Sequence, residues 1–347
     1  MTAARELRLG VVGFGRLVRE FYLPALHALD GVKLVAVADP LAASRRAATA
    51  RVSGVQVHAD HRALLERGDL DGLLVASPPS THLDVWRDAA ACSLPSFVEK
   101  PLVLSSQLGA LDGVRDRGAI MVDFNRRFWP TYGRVRDLVR EGALGTPVHL
   151  EFLLHLEVLG WSTVTRHRLD PGEGGLLHDL GCHAIDLAVH VIGEEPTGVS
   201  ADATGPRGAS DHLHLRLGFP AGSTATCDIA YGARTREWLV VRGPRATARL
   251  AEPNLALHVE PAGGRASRLV AWSRDAAALG YRAVFRSQSI GRASIRGALA
   301  AFVHGLRTQT PFSPGFEDGA SNARLVAAAG RSLPEWARSQ DEPVKAT

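Results

Sequence analysis

The sequence of 347 residues predicts two domains: an α/β domain with a parallel sheet over residues 1–123, and an α+β domain over residues 124–347. The second domain is expected to hold a large, mostly antiparallel, open-faced sheet. In the first part, short apolar runs alternate with segments of helical spacing, which is typical of a parallel sheet covered by helices on both faces. From Thr146 onwards the apolar residues recur at every second position, which is typical of antiparallel strands with one covered face.

Composition and charge argue against several classes of function. The net charge of +4 is spread along the chain without a basic run, so nucleic-acid binding has little support. Charged residues interrupt every apolar run well before about 18 residues, so no membrane span is expected. The N-terminus lacks a signal-peptide pattern, and three cysteines without paired spacing do not indicate a disulfide framework. We therefore expect a cytoplasmic protein.

The first domain repeats a unit in which an apolar strand leads into a helix. Strands are predicted over 7–12, 32–38, 55–57, 72–76, 94–98 and 119–122, with a helix over 16–29 after the first of them. The first strand ends in Gly13-Phe14-Gly15, where Gly13 permits a tight turn and Gly15 lets the backbone approach a pyrophosphate at a helix N-terminus. Val18 occupies the place of the third glycine of a dinucleotide-binding pattern.

Asp39 closes the second strand, at the position where an acid is expected in a dinucleotide-binding unit. A carboxylate there can accept hydrogen bonds from both ribose hydroxyls and repels a 2′-phosphate, which favours NAD over NADP. Arg45 and Arg46 follow closely and keep NADP open as an alternative. A plain turn at Asp39-Pro40 is the structural alternative.

Two later strand ends carry polar residues that are expected to face the ligand crevice. One is the loop from Ser77 and Pro78 to His82, and the other is Phe97-Val98-Glu99-Lys100-Pro101. Of the 40 basic residues only Lys33, Lys100 and Lys345 are lysines. Because Arg never releases its proton whereas Lys has a movable pKa, a lysine retained here suggests a chemical task. A surface ion pair with Glu99 is the alternative.

In the second domain one helix, ended by Gly193, carries an unusual polar stripe. Asp179, His183, Asp186 and His190 recur at helical spacing among small and apolar residues, which indicates a sheltered polar pocket. Histidines of an ordinary core are one alternative. A metal site is another, but no third ligand of matching spacing is apparent, so we expect no metal.

These motifs together resemble those of the glucose–fructose oxidoreductase and inositol dehydrogenase family (Gfo/Idh/MocA). The resemblance is carried by Gly13-Phe14-Gly15, by residues 76–82 and 99–101, and by residues 174–186 with their Asp-x-Gly-x-His core. It implies an N-terminal Rossmann domain and a C-terminal substrate-binding domain whose open sheet builds homodimers or homotetramers. It also implies that Lys100, Asp179 and His183 match the catalytic residues of the family.

The chemistry of alcohol oxidation gives each of these three residues a role. His183 would accept the hydroxyl proton, Lys100 would donate to the same oxygen, and Asp179 would orient the substrate or the imidazole. The leading hypothesis is a nicotinamide-dependent oxidoreductase of a secondary hydroxyl, or of the matching ketone, in a sugar, amino sugar or cyclitol. By association, the arginine-rich composition also fits enzymes that tailor sugar-containing natural products. A non-catalytic NAD(P)-binding regulator and a reductase of another small molecule are the alternatives.

Besides the three catalytic residues, the candidate site residues fall into two groups. Cofactor binding is predicted for Gly13, Phe14, Gly15, Arg16, Leu17, Asp39, Ser77, Pro78, His82, Glu99 and Lys100. Substrate binding is predicted for Arg127, Trp161, Asp179 and His183, with His149, His155 and Glu157 as further pocket candidates.

Overall fold

The structure is a computed structural model that describes residues 5–111, 114, 119–157, 174–204, 212–232, 234–251, 255–262 and 290–334. The chain divides into two compact units. The first unit consists of Met1–Asn125 and Gly291–Ala323, and the second consists of Arg126–Ile290 and Arg324–Thr347.

The first unit is built on a parallel sheet of six strands. The strands are β1 (Leu7–Val12), β2 (Val32–Ala38), β3 (Gln56–His58), β4 (Gly72–Val75), β5 (Ser96–Val98) and β6 (Ile120–Val122). Their order in the sheet is β3-β2-β1-β4-β5-β6, and every pair is parallel. Successive residues of β1 and β4 are buried because helices cover both faces, which is why these strands are apolar throughout. The predicted α/β class is confirmed.

Helices follow most of these strands: α1 (Leu23–His27), α2 (Ala42–Arg51), α3 (His61–Leu65) and α4 (His82–Ala91). The helix predicted over 16–29 contains a π turn over Val18–Tyr22 ahead of α1. Pro24 lies in the first turn of α1 and has no N–H for the carbonyl of Glu20, so a regular α-helical pattern cannot run through this point. Val18, at the place of the missing third glycine, is fully buried.

The end of the chain returns to complete the first unit. Helix α7 (Ile290–Thr308) packs Phe302 against Phe97 with ring centroids 5.5 Å apart. Helix α8 (Phe316–Ser332) places Phe316 against Trp86 at 5.4 Å. The predicted second domain of 124–347 therefore needs correction, because residues 291–323 belong with the first unit. The apolar face of a helix predicts that the helix is buried but does not identify its partner.

The second unit is built on a sheet of seven strands. These are β7 (His149–Glu157), β8 (Gly198–Thr204), β9 (His212–Gly218), β10 (Thr224–Gly232), β11 (Arg236–Arg242), β12 (Ala246–Ala251) and β13 (Ala256–Pro261). The order is β13-β12-β11-β7-β10-β9-β8, in which β7 and β10 are parallel and the other pairs are antiparallel. The mostly antiparallel sheet is confirmed. From the alternation of apolar residues the sequence predicts strands over 224–231, 238–242, 246–250, 255–260 and 268–272, and it predicts none at the edge strand β8. Residues 268–272 lie outside the described residues.

Two helices cover one face of this sheet. Helix α5 (Pro130–Arg140) places Tyr132 against Phe152 of β7 in an edge contact at 6.4 Å. Helix α6 (Cys182–Ile192) follows a π turn over Leu177–Gly181 and ends at Gly193, whose φ is +82°. We call the opposite face, which carries the half-exposed side chains of His149, Glu151 and His155, the open face. Within the part of the chain that the structure describes, no helix is both long enough and apolar enough to span a bilayer.

A buried ion pair joins the start of the second unit to its sheet. The Arg126 guanidinium donates to both carboxylate oxygens of Glu237, at 3.0 and 3.3 Å. The Tyr132 hydroxyl donates to the same carboxylate at 2.6 Å. Burial, together with the negative charge of Glu237, raises the pKa of Tyr132, so the hydroxyl keeps its proton and remains a donor. A carboxylate on the helix-covered face is thereby satisfied by two donors.

Candidate active site

The turn after β1 requires glycine at one position and leaves space at a second. Gly13 has a φ of +88°, and a Cβ there would lie 2.6 Å from the carbonyl oxygen of Ala76. Backbone conformation and the neighbouring strand end therefore both exclude a side chain. At Gly15 a Cβ would meet no described atom within 4 Å. The backbone at Gly15 is thus open to a ligand, as a pyrophosphate-binding turn requires.

The residues that follow this turn begin the next helix. Arg16 and Leu17 are half-buried. The Arg16 guanidinium donates to Glu20 at 2.9 Å, one helical turn further on. Both residues lie next to the open backbone of Gly15, where the sequence predicts cofactor contacts.

Asp39 ties the end of β2 to the glycine turn. Its two carboxylate oxygens accept hydrogen bonds from the backbone N–H groups of Phe14 at 2.8 Å and Leu41 at 2.9 Å. Each oxygen can accept a second bond, so ribose hydroxyls can still be bound. The Arg45 guanidinium donates to the carbonyl oxygens of Asp39 and Pro40, at 2.7 and 2.8 Å. Because Arg45 is held by the backbone, this arrangement favours a ribose with a free 2′-hydroxyl.

His82 links the loops that follow β4 and β5. Its ring nitrogens lie 2.9 Å from the carbonyl oxygen of Ser77 and 2.8 Å from that of Pro101. The ring is 1% exposed, and this burial lowers its pKa. A buried ring that faces two protein carbonyls has no nitrogen to offer a cofactor. The direct contact predicted for His82 is therefore replaced by a role in holding the Ser77-Pro78 loop and the loop of Lys100.

Two carboxyl groups and a phenol form a buried cluster. One of the carboxyl groups belongs to Glu99, the residue before Lys100 in the chain. The Tyr22 hydroxyl donates to Glu99 at 2.5 Å and lies 3.2 Å from Asp123. Burial, followed by the negative charge of Glu99, raises the pKa of Asp123 well above its ordinary value. The Glu99 carboxylate thus binds within this cluster, and the cofactor contact of Glu99 stays a prediction.

The raised pKa of Asp123 predicts a pH-dependent stability. Above about pH 4 an unfolded Asp has lost its proton, whereas the folded chain retains the proton on Asp123. Folding therefore takes up a proton on Asp123. The stability that this proton contributes is lost as the pH rises from the unfolded-state pKa towards the folded-state pKa. We expect the unfolding free energy of Asp123→Asn to increase relative to that of the wild type as the pH rises from 4 to 8. Urea unfolding at several pH values measures this difference.

The control for this prediction is Asp84→Asn, which changes an exposed carboxylate on α4. The difference between this variant and the wild type is the baseline against which the Asp123→Asn difference is judged over the same pH range. A flat difference for Asp123→Asn would show that the cluster holds no extra proton.

In the second unit, the π turn before α6 carries Asp179, and His183 follows in the first turn of α6. Asp179 and His183 are each 6% exposed. The Tyr231 hydroxyl, at the end of β10, donates to the Asp179 carboxylate at 3.0 Å. π turns are frequent at functional sites, where they reorient individual side chains. The arrangement fixes an acid and an imidazole on one short stretch of backbone.

The other half of the predicted stripe serves the structure of the second unit. The Arg127 guanidinium donates to both oxygens of Asp186, at distances from 2.6 to 3.1 Å. The Arg136 guanidinium lies 3.4 Å from the His190 ring. The contacts of Arg127 give it a positioning role, and its substrate contact stays a prediction. Trp161 lies outside the described residues.

The pocket predictions for three residues of β7 need correction. Side chains alternate along a strand, so His149, His155 and Glu157 all point to the open face. Tyr231, which binds Asp179, shares the helix-covered face with the buried Cys227 and Ile229 of β10. The three β7 side chains therefore lie on the opposite face of the sheet from Asp179. Alternation alone does not reveal which face of a strand carries a site.

Several partners of the site residues were not predicted. Tyr22 and Tyr231 have no sequence signal, because a tyrosine that donates to a buried acid looks like any core aromatic residue. Asp123 does have one, since it ends β6 as Asp39 ends β2.

Comparison with known proteins identifies the family of this chain. Residues 7–111 match the oxidoreductase family with an NAD-binding Rossmann fold, and residues 132–249 match the GFO/IDH/MocA C-terminal domain. The rhizopine catabolism protein MocA of Rhizobium meliloti is 31% identical over 234 residues, covering 66% of this chain and 69% of that protein. This chain belongs to the Gfo/Idh/MocA family.

One further relative is similar in sequence, and one solved structure is similar in fold. The scyllo-inositol 2-dehydrogenase (NAD(+)) of Bacillus subtilis (strain 168) is 32% identical over 199 residues, or 56% of each chain. The WlbA dehydrogenase from Bordetella pertussis, crystallised with NADH and UDP-GlcNAcA, has a similar fold. Its TM-score is 0.80 at 18% identity, covering 94% of this chain and 95% of that chain.

Membership of the Gfo/Idh/MocA family confirms the predicted resemblance and the predicted nicotinamide-dependent oxidoreductase. The six-stranded parallel sheet is its NAD-binding Rossmann domain. The residues present fit this cofactor, because the backbone is open at Gly15 and the Asp39 carboxylate stands at the end of β2 with acceptor capacity to spare.

Proposed function

We propose that this Gfo/Idh/MocA oxidoreductase oxidises a secondary hydroxyl of a sugar, amino sugar or cyclitol, or reduces the matching ketone. The proposal is carried by the presence of Lys100, Asp179 and His183 together in a member of this family. The names of the relatives support the substrate class. One is a scyllo-inositol 2-dehydrogenase, and WlbA was crystallised with UDP-GlcNAcA.

Each of the three residues has a role in the proposed reaction. His183 accepts the hydroxyl proton, because an imidazole exchanges its proton near neutral pH. Lys100 donates to the same oxygen and stabilises the negative charge that develops there. Asp179, held by the Tyr231 hydroxyl, orients the substrate or the imidazole. NAD, when bound, accepts the hydride from the carbon that carries the hydroxyl.

The cofactor is held by residues of the first unit. The open backbone at Gly15 receives the pyrophosphate, and Asp39 accepts from the ribose hydroxyls. The hydrogen bonds of Arg45 to the carbonyls of Asp39 and Pro40 support a preference for NAD over NADP.

A substrate panel tests this function. Inositols, free aldoses and nucleotide sugars are each incubated with NAD and with NADP, and absorbance of the reduced nicotinamide is recorded. We expect turnover on at least one of these polyols and a higher kcat/KM with NAD than with NADP. Simple primary alcohols serve as matched controls and should remain unreactive. If the protein binds NADH but turns over no polyol or matching ketone, the result favours the hypothesis of a non-catalytic NAD(P)-binding regulator.

A further inference from the structure

Three histidines and an aspartate form a cluster on the open face of the second sheet. His155 belongs to β7, Asp228 to β10, and His212 and His214 to β9. The sequence predicts no metal site, because the candidate ligands that it groups lie on one helix, whereas these four side chains come from three strands. The cluster has no part in the proposed oxidation.

The imidazoles converge on one carboxylate. The Nε2 atoms of His155 and His212 lie 2.5 and 2.7 Å from the same oxygen, Oδ1 of Asp228. His214 Nδ1 lies 3.1 Å from the other oxygen, Oδ2. The ligating atoms of His155, His212 and Asp228 all lie within 4.8 Å of one another. In the single chain the side chains of the cluster are between 20% and 37% exposed.

The strand register explains why these side chains meet. His155 and His212 lie directly on either side of Ala230, the former across the parallel pair and the latter across the antiparallel pair. Ala230 and Asp228 are two residues apart and therefore share a face. Ala230 has only a methyl side chain between the two histidines, and the Nε2 atoms of both imidazoles reach Oδ1 of Asp228.

We propose that His155, His212 and Asp228 bind a divalent transition-metal ion of the Zn²⁺ class. Two imidazoles and a carboxylate are ligands that Zn²⁺ uses in proteins, and three protein ligands leave a fourth position for water. Zn²⁺ holds such ligands at about 2.0–2.2 Å, so tetrahedral ligand atoms lie roughly 3.3 Å apart. Each nitrogen-to-oxygen distance in the cluster has to lengthen by less than about 1 Å.

Imidazoles hold both oxygens of the Asp228 carboxylate: His155 and His212 face Oδ1, and His214 faces Oδ2. His214 holds the second carboxylate oxygen and acts as an outer-shell partner that orients the ligand. Charged residues flank the cluster on both sides. Asp202 lies opposite His214 and is paired with Arg216. Arg236 lies opposite His155.

Titration of the full-length, tag-free, chelator-treated protein with ZnCl₂ tests this site. We expect one Zn²⁺ per chain by calorimetry, a melting temperature that rises with Zn²⁺ concentration, and d–d absorption of a low-symmetry site with Co²⁺. His155→Asn/His212→Asn should abolish all three signals. His214→Asn should keep the stoichiometry and weaken the apparent Kd by about 10–100-fold.

The matched control is His149→Asn, which removes another half-exposed histidine from the same strand and face. It should bind Zn²⁺ like the wild type. Circular dichroism and NADH binding verify that each variant is folded. The proposal is overturned if the wild type binds no stoichiometric Zn²⁺, if binding survives in the double variant, or if the control loses it equally.

Discussion

Lys100→Met is expected to lower kcat for the polyol substrate by about 10²–10³-fold, the usual cost of removing one donor to a reacting oxygen. Met keeps much of the length and apolar stem of Lys but cannot donate a hydrogen bond. The Kd for NADH is expected to change little, because the cofactor contacts predicted at the backbone of Gly15 and the carboxylate of Asp39 are unaffected by the substitution. Steady-state kinetics and NADH fluorescence titration measure the two effects separately.

The control for this substitution is Lys33→Met, since Lys33 is exposed on β2 of the same unit. It removes one of only three lysines of the chain and should leave kcat unchanged. A Lys100→Met variant with kcat within threefold of the wild type would remove Lys100 from the proposed chemistry while leaving the family assignment intact. Loss of NADH binding in that variant would instead point to a structural or cofactor-binding role.

Arg126→Met is expected to lower the unfolding free energy of the second unit by about 3–5 kcal/mol, the usual cost of removing one partner of a buried ion pair. The side chains of Arg126 and Glu237 are 15% and 7% exposed, so solvent does not replace the lost donor. Tyr132 remains as one donor to the stranded Glu237 carboxylate. Urea unfolding followed by fluorescence and circular dichroism measures the shift of the transition.

Two further variants show whether the pair itself is responsible. Arg126→Met/Glu237→Leu should recover most of the loss, because the buried carboxylate is then removed together with its partner. Arg134→Met breaks the exposed pair with Glu141, at 3.6 Å, and should cost less than about 1 kcal/mol. If the double variant is no more stable than the single one, the loss comes from packing and not from charge.

The sequence predicts the first sheet closely, because its strands are short, apolar and bounded by glycine, aspartate or proline. The runs 7–12 and 32–38 coincide with β1 and β2. The end of α6 at Gly193 is equally well marked, since the left-handed conformation there favours glycine. Such signals are local, and the tertiary structure does not override them.

The errors arise where the answer depends on distant parts of the chain. Strand β8 (Gly198–Thr204) has small and polar residues and lies at the edge of the sheet, so its apolar alternation is weak. The meeting of His155 with Asp228 requires the parallel register of β7 and β10. The partners of Asp179 and Glu99 depend on the same kind of long-range pairing. Periodicity identifies elements but does not assign their neighbours.

The return of residues 291–323 to the first sheet has a consequence for protein synthesis. Phe302 and Phe316, which cover Phe97 and Trp86, leave the ribosome only after residues 126–290 of the second unit have been made. A shortened gene that stops after residue 125 would leave Phe97 and Trp86 without these partners. An autonomous nucleotide-binding fragment therefore has to be designed as a fusion of the first 125 residues to residues 291–323, which carry both phenylalanines, joined by a flexible linker.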